Sequence, residues 1–263
     1  MSQLDILRES LGQCDEILLD ALLMRNRIVE DIMVYKEAND IPILQPEQEA
    51  KQKEWLARRM EGKRHRNEVD AVFEEITRNS KKIQARKLFD YNIVLIGFMG
   101  AGKSTVARTL GEWFDMEIVE MDELISDRQR MSIPEIFEKH GEEYFRNLET
   151  NLLIELQKTS RTIISCGGGA AMRSQNVSEM KKNGYVVLLT ATPKTILERV
   201  KENDDRPLLK NHKNVEYIAE LMEKRREKYE TAADLIVQTD EKNVQEICKE
   251  MITKLMEMDS RDV

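Results

Sequence analysis

Ile93-Val94-Leu95-Ile96-Gly97-Phe98-Met99-Gly100-Ala101-Gly102-Lys103-Ser104-Thr105 is the stretch on which the fold turns. Four apolar residues closed by a glycine read as a buried strand, and the residues after Ser104 return to helical spacing. Between strand and helix, Gly97, Gly100, Gly102, Lys103 and Ser104 hold the spacing of a phosphate loop. The residue types suit the task. Glycines let backbone N–H groups curl around phosphate oxygens, a lysine neutralises the β and γ oxygens, and a hydroxyl reaches Mg²⁺. Ser104 is therefore the metal-ligand candidate, and Ala101 and Thr105 complete the nucleotide cradle. Kinases, GTPases and motor ATPases all carry such loops, so the loop assigns a nucleotide and leaves the acceptor open.

Working outward, short β-like apolar runs recur at 117–119, 162–165, 185–189 and 235–237, with helical segments between them. Five strands alternating with helices predict a parallel α/β sheet. Upstream the period changes. Leu4, Leu7, Leu11, Leu18, Leu22, Val29 and Ile32 recur at steps of mostly three and four with no proline. They predict one helix from residue 4 to about 37, roughly 50 Å long at ~1.5 Å per residue. Asn39-Asp40-Ile41-Pro42 breaks it, Pro46 opens a second helix to about residue 60, and the basic stretch 63–66 precedes a third over 69–88. The expected organisation is an all-α domain over 1–89 followed by an α/β domain over 90–263.

Composition limits the partners. A net charge of −8 argues against the basic surface field that nucleic acid or an anionic membrane would require. Cys14, Cys166 and Cys248 are odd in number and far apart, which suits reduced thiols better than a disulfide framework. No stretch approaches ~20 apolar residues, and the first residues lack a basic segment followed by an apolar core. The expectation is a soluble, cytoplasmic protein.

The acceptor must be read from the rest of the second domain. It has no guanine-reading Asn-Lys-x-Asp, and the polar segment 203–207, which contains Arg206, falls where a closing lid would sit. These features favour a kinase for a small metabolite. Asp122 follows the second strand, Arg146 lies in Phe145-Arg146-Asn147-Leu148-Glu149, Gly167-Gly168-Gly169 follows the third strand, and Arg225 precedes Tyr229. In this order, and behind Gly-Phe-Met-Gly-Ala-Gly-Lys-Ser-Thr, they closely resemble the shikimate kinases over residues 92–258. The resemblance implies that Asp122 binds the ring hydroxyls and orients or deprotonates the attacking one. It implies that Arg146 and Arg225 hold the substrate carboxylate, and that Gly167, Gly168 and Gly169 let the backbone approach the substrate. Lys103, Mg²⁺ and Arg206 would stabilise the transferring phosphoryl group, and Arg199 resembles the family's adenine-contacting arginine. One position departs: Glu120 stands where the family usually has an aspartate, reaching farther by roughly 1.5 Å. A kinase for another small acid, such as gluconate, stays open on the residues alone.

The first third resembles the all-helical chorismate mutases over residues 4 to about 86. Arg8, Arg25, Lys36, Glu49, Ser80 and Gln84 fall where that family keeps its active-site residues. Helical geometry supports part of this set. Arg25 and Lys36 are eleven positions apart and lie on nearly one face, and Ser80 and Gln84 are an i,i+4 pair. Arg8 lies ~25 Å from Arg25 on a straight helix and about a quarter-turn off its face. An antiparallel partner helix could bring it to the same ligand, as in the intertwined homodimer that the resemblance implies. The resemblance implies that Arg8 and Arg25 bind the two carboxylates of chorismate, Lys36 and Gln84 donate to its ether oxygen, Glu49 holds the ring hydroxyl, and Ser80 adds a polar contact. Gln45 and Gln48 stand where an aspartate and an arginine are common. Together the two resemblances imply a bifunctional enzyme of aromatic amino-acid biosynthesis, using ATP and Mg²⁺. The alternative is a kinase carrying an inactive, mutase-like dimerisation or sensing domain.

Overall fold

A computed structural model of the protein describes residues 2–39, 41, 46–201 and 214–259. The chain divides into two compact units, Met1–Lys87 and Leu88–Val263.

The first unit is helical: α1 (Gln3–Ala38), α2 (Pro46–Arg59) and α3 (Arg66–Leu88). α1 continues without a break because no proline interrupts its 3.6-residue period. It ends where Asn39 Nδ2 donates to the Tyr35 carbonyl at 2.8 Å and the Ile41 N–H returns to Lys36 at 2.9 Å. α2 opens on a proline, whose fixed φ suits the first helical position. The third helix starts three residues before the expected position 69, so Arg66 belongs to the helix and not to the link. Gly62 and His65, with φ of 68° and 58°, reverse the chain in the link itself, leaving Arg66 to enter the first turn and approach Asp70 at 3.6 Å. Val29, Met33 and Leu56 are buried, and the rings of Trp55 and Phe73 lie 6.2 Å apart. Along the first two-thirds of α1 the apolar stripe is exposed, with Leu7 at 61% and Leu11 at 62%.

In the second unit five parallel strands, β1 (Asn92–Ile96), β2 (Glu117–Glu120), β3 (Thr162–Ser165), β4 (Gly184–Thr190) and β5 (Leu235–Gln238), form a sheet of order β2-β3-β1-β4-β5. Register runs Ile93 to Ile163 and Tyr185, and Ile118 to Ile163. Helices cover the sheet: α4 (Lys103–Phe114), α5 (Met121–Gln129), α6 (Ile133–Leu156), α7 (Ser174–Met180), α8 (Pro193–Val200), α9 (Val215–Ala232) and α10 (Val244–Asp259). Side chains alternate across a strand. Val94 and Ile96 join Val186, Ile164, Phe145, Leu152 and Leu153 in one cluster on one face of the sheet, while α4 and α10 pack on each other. Ile93 and Leu95 are also fully buried, as a sheet covered on both faces requires. Each such side chain contributes roughly 1.5–3 kcal/mol by burial. α6 starts with a capping box in which Ser132 and Glu135 satisfy each other's backbone N–H, and it kinks at Gly141, where φ is 84° and ψ 168°.

In a parallel sheet the strands end on one side, and a ligand crevice forms where the order reverses about the first strand. β1 has β3 on one side and β4 on the other, so the loops after β1, β2 and β3 meet there.

Candidate active sites

The phosphate loop follows β1. Gly97, Gly100 and Gly102 have φ of 138°, 78° and 103°, values that side-chain-bearing residues rarely adopt. A Cβ on Gly97 would run into the Leu189 carbonyl, and one on Gly100 would sit 2.8 Å from Val200 Cγ1. Glycine is therefore required twice over, by conformation and by space. Lys103 Nζ folds back over the loop and donates to the carbonyls of Gly97 at 2.9 Å and Phe98 at 3.2 Å. Arg199, exposed at its outer edge, donates to the Gly100 carbonyl at 3.2 Å and to the Thr239 hydroxyl and carbonyl at 2.9 Å each. It braces the loop against the segment after β5.

A cleft of about 740 Å³ opens over this loop, lined among others by Lys103, Ser104, Glu120, Asp122, Gly167 and Gly168. Ser104 and Thr105 lie in the first turn of α4, whose N-terminal end carries the positive helix dipole. Glu120 Oε1 is buried without a hydrogen-bond partner, a state that costs free energy unless a cation or water answers it.

Further along, β2 delivers Asp122 and β3 delivers the triple glycine, which meet. A Cβ on Gly167 would lie 2.5 Å from Asp122 Oδ1 and 3.1 Å from Glu149 Oε1, and a Cβ on Gly169 would collide with the Arg146 guanidinium. The glycines allow two charged side chains to lie flat on the backbone. Arg146 donates to Glu149 Oε2 at 2.7 Å through one nitrogen and to Glu142 Oε1 at 3.1 and 2.9 Å through the others. Its guanidinium also rests 5.3 Å from the Phe145 ring centroid. Arg225 and the Tyr229 hydroxyl both donate to the Gly168 carbonyl, the former at 3.1 Å, and Arg225 lies 5.8 Å from the Phe98 ring. The structure thus brings Asp122, Arg146, Arg225 and the three glycines to one wall. Arg206 lies outside the described residues.

The sequence alone assigns Glu149 no role, although its i,i+3 spacing from Arg146 on α6 is a usable signal. It is fully buried and Oε1 has no hydrogen-bond partner. Burial pushes its carboxyl up to about 7, against the opposing pull of Arg146 and with a further push from Asp122. Burial also works against charge on Arg146, but Glu149 and Glu142 outweigh it and hold the guanidinium firmly protonated. The pH consequence has a definite sign. Between about pH 4.5 and 7 the folded carboxyl keeps a proton that an unfolded one has lost, so stability falls as pH rises through that window and levels off above it. At ~1.4 kcal/mol per pKa unit the effect is on the order of 3 kcal/mol. Glu149→Gln is expected to remove this slope. Urea midpoints at pH 5 and 7, followed by Trp113 fluorescence in a Trp55→Phe background, would read it, and parallel slopes for variant and parent would mean that Glu149 titrates normally.

In the helical unit Arg25 donates to the Ser80 hydroxyl, which itself donates to the Ile76 carbonyl at 3.0 Å. Glu49 on α2 meets Lys81 Nζ on α3 at 3.0 Å. Burial lowers the pKa of both Arg25 and Lys36. Gln84 is half-buried one turn beyond Ser80, while Arg8 is exposed near the start of α1. Gln48 is exposed beside Glu49, and Gln45 lies outside the described residues. Sequence reasoning misses Lys81, because nothing local reveals that α2 and α3 bring residues 49 and 81 together.

A model of the shikimate kinase family matches residues 99–256, and a chorismate mutase type II model matches residues 7–85. Among curated relatives, a shikimate kinase of Caldanaerobacter subterraneus is 37% identical over 170 residues, covering 65% of this chain and 99% of that protein. One from Sulfurihydrogenibium is 41% identical over 164 residues, 62% of this chain and 97% of that protein. Among solved structures, a shikimate kinase from Acinetobacter baumannii in complex with shikimate aligns with a TM-score of 0.60 at 32% identity, covering 64% of this chain and 93% of that one. The shikimate kinase of Aquifex aeolicus aligns at 0.52 and 37%, covering 62% and 95%.

Proposed function

The chain belongs to the shikimate kinase family and carries a chorismate mutase type II domain ahead of the kinase; from this premise we propose the roles its residues play in the two reactions. For the kinase, the observation that carries the reading is the wall on which Asp122 and Arg146 press against Gly167 and Gly169. A carboxylate, two arginines and bare backbone suit a small hydroxy acid. Arg146 and Arg225 take the carboxylate of shikimate, and Asp122 accepts a hydrogen bond from its attacking hydroxyl. That oxygen bonds to the γ-phosphorus of ATP as the bond to the bridging β,γ oxygen breaks. ADP leaves with the electron pair, and the hydroxyl proton passes to Asp122, giving shikimate 3-phosphate. Lys103 stabilises the charge on the phosphates, a task that is mostly positioning and electrostatics. Arg199 borders the adenine, and Arg206 is assigned to the closing lid.

Mg²⁺ suits the donor set. The Ser104 hydroxyl and Glu120 line the same cleft, and the unpartnered Glu120 Oε1 is an oxygen that a hydrated cation would satisfy. When bound, the ion neutralises charge on the β and γ phosphate oxygens. An acceptor assay coupled to ADP release tests the substrate. We expect turnover with shikimate and none with gluconate, and the reverse pattern would overturn the assignment.

For the helical unit, Arg25 on Ser80 and Glu49 on Lys81 support the rearrangement of chorismate to prephenate. That reaction needs no nucleophile, only a site that holds the compact conformer of a dianion and stabilises charge on the ether oxygen. Arg8 then comes from a second copy, and the exposed stripe of α1 is the surface a homodimer would cover. Among the described residues no helix is long and apolar enough to cross a membrane, and the cytoplasm is the compartment we propose for a biosynthetic enzyme of this kind. Gln48, exposed and uncharged beside Glu49, favours the second reading of an inactive dimeriser or sensor. Loss of chorismate absorbance with the purified chain decides between them.

A further inference from the structure

We propose that Lys81 is a positioning residue of the helical unit's anion site, holding the Glu49 carboxylate in place and supplying from α3 the positive charge that Gln48 does not supply from α2. The inference rests on the mutase reading and deepens it.

Lys81 Nζ lies 3.0 Å from Glu49 Oε2, and the cation is the more buried partner, its side chain 20% exposed against 44% for Glu49. A surface pair formed by chance usually leaves both ends in solvent and contributes little. Here most of the lysine side chain is covered, and its Nζ meets a carboxylate on another helix. The neighbouring residue, Ser80, accepts a hydrogen bond from Arg25 on α1. Adjacent helical residues point ~100° apart, so residues 80 and 81 reach α1 and α2 from one turn of α3. Glu49 is thereby tied to the same turn as Arg25.

The charge balance gives this arrangement a purpose. A carboxylate beside a site for a dianion repels its ligand unless a cation answers it. Lys81 cancels the charge of Glu49, so that Arg25, Lys36 and the Arg8 of a second copy keep their full positive charge for the dianion. Glu49 can then serve as a hydrogen-bond acceptor for a ring hydroxyl without weakening carboxylate binding.

The test uses the full chain and chorismate itself. Lys81→Met is expected to raise KM for chorismate about tenfold with kcat changed less than threefold, as loss of ground-state binding requires. Lys81→Arg should recover it. So should Gln48→Arg added to Lys81→Met, which returns a cation to the other side of Glu49. Should Lys81→Met lose helical circular dichroism, Lys81→Gln carries the same comparison. An unchanged KM, or a matched loss of kcat and kcat/KM that neither arginine repairs, overturns the role. A parent chain that neither converts nor binds chorismate overturns the mutase reading as well, and calorimetry with chorismate separates that failure from the failure of Lys81 alone.

Discussion

Asp122→Asn is expected to lower the kinase kcat about a thousandfold, within the range by which a positioned general base accelerates proton transfer, while leaving KM for ATP within a factor of three. The amide keeps the shape of the side chain and its fit over Gly167, where a Cβ would lie 2.5 Å from Asp122 Oδ1. Only the capacity to accept a proton is lost. The nucleotide cradle of Gly97, Gly100, Gly102 and Lys103 is separate in sequence and contributed by β1 and α4, which is why ATP affinity should hold. Asparagine also removes one negative charge near Glu149, whose carboxyl Asp122 helps to push up, so the variant should be no less stable than its parent. Coupled ADP-release kinetics at saturating shikimate read the effect. A kcat within tenfold of the parent would move the proton-accepting role away from Asp122.

Part of that site is legible in the amino-acid sequence alone. Phosphate loops are local: strand, glycines, lysine and helix follow one another, so their spacing declares them. The five strands are legible for a similar reason, since buried parallel strands read as short apolar runs, and each lies within two residues of its expected place. What local pattern does not carry is which loops meet. Asp122 and Gly167 are neighbours because β2 and β3 pair in register, Ile118 opposite Ile163 and Glu120 opposite Ser165, and strand order is a long-range property. Glu149 stands out beside Arg146 only with its burial, and Lys81 beside Glu49 only with the pairing of α2 and α3. The kink at Gly141 likewise hides in a run that reads as continuous helix. Basic residues read as a link and push the expected start of α3 too late, whereas two left-handed positions before Arg66 make the turn shorter.

Lys36→Ala is expected to lower chorismate mutase kcat by about two to three orders of magnitude, the usual effect of removing a donor aimed at developing charge in a preorganised site. Lys36 stands in the last turn of α1, where a cation also suits the helix dipole. Burial lowers its pKa, so its environment resists charge and favours a counter-ion, which a ligand oxygen gaining charge would supply. The loss should fall on kcat more than on KM, because the ether oxygen is most negative in the transition state while the carboxylates, assigned to Arg8 and Arg25, are charged throughout. This separates Lys36 from Lys81, whose replacement should act on KM. Kinase turnover, whose residues all lie in the second unit, fixes the amount of intact chain in the same preparation, and helical circular dichroism checks the fold of the first unit. If chorismate disappears as fast with Lys36→Ala as with the parent, the ether-oxygen contact belongs to another residue. If the parent itself shows no turnover, the helical unit has kept the architecture of a mutase for dimerisation or ligand sensing, and the exposed stripe of α1, not Lys36, is then the part of it under functional demand.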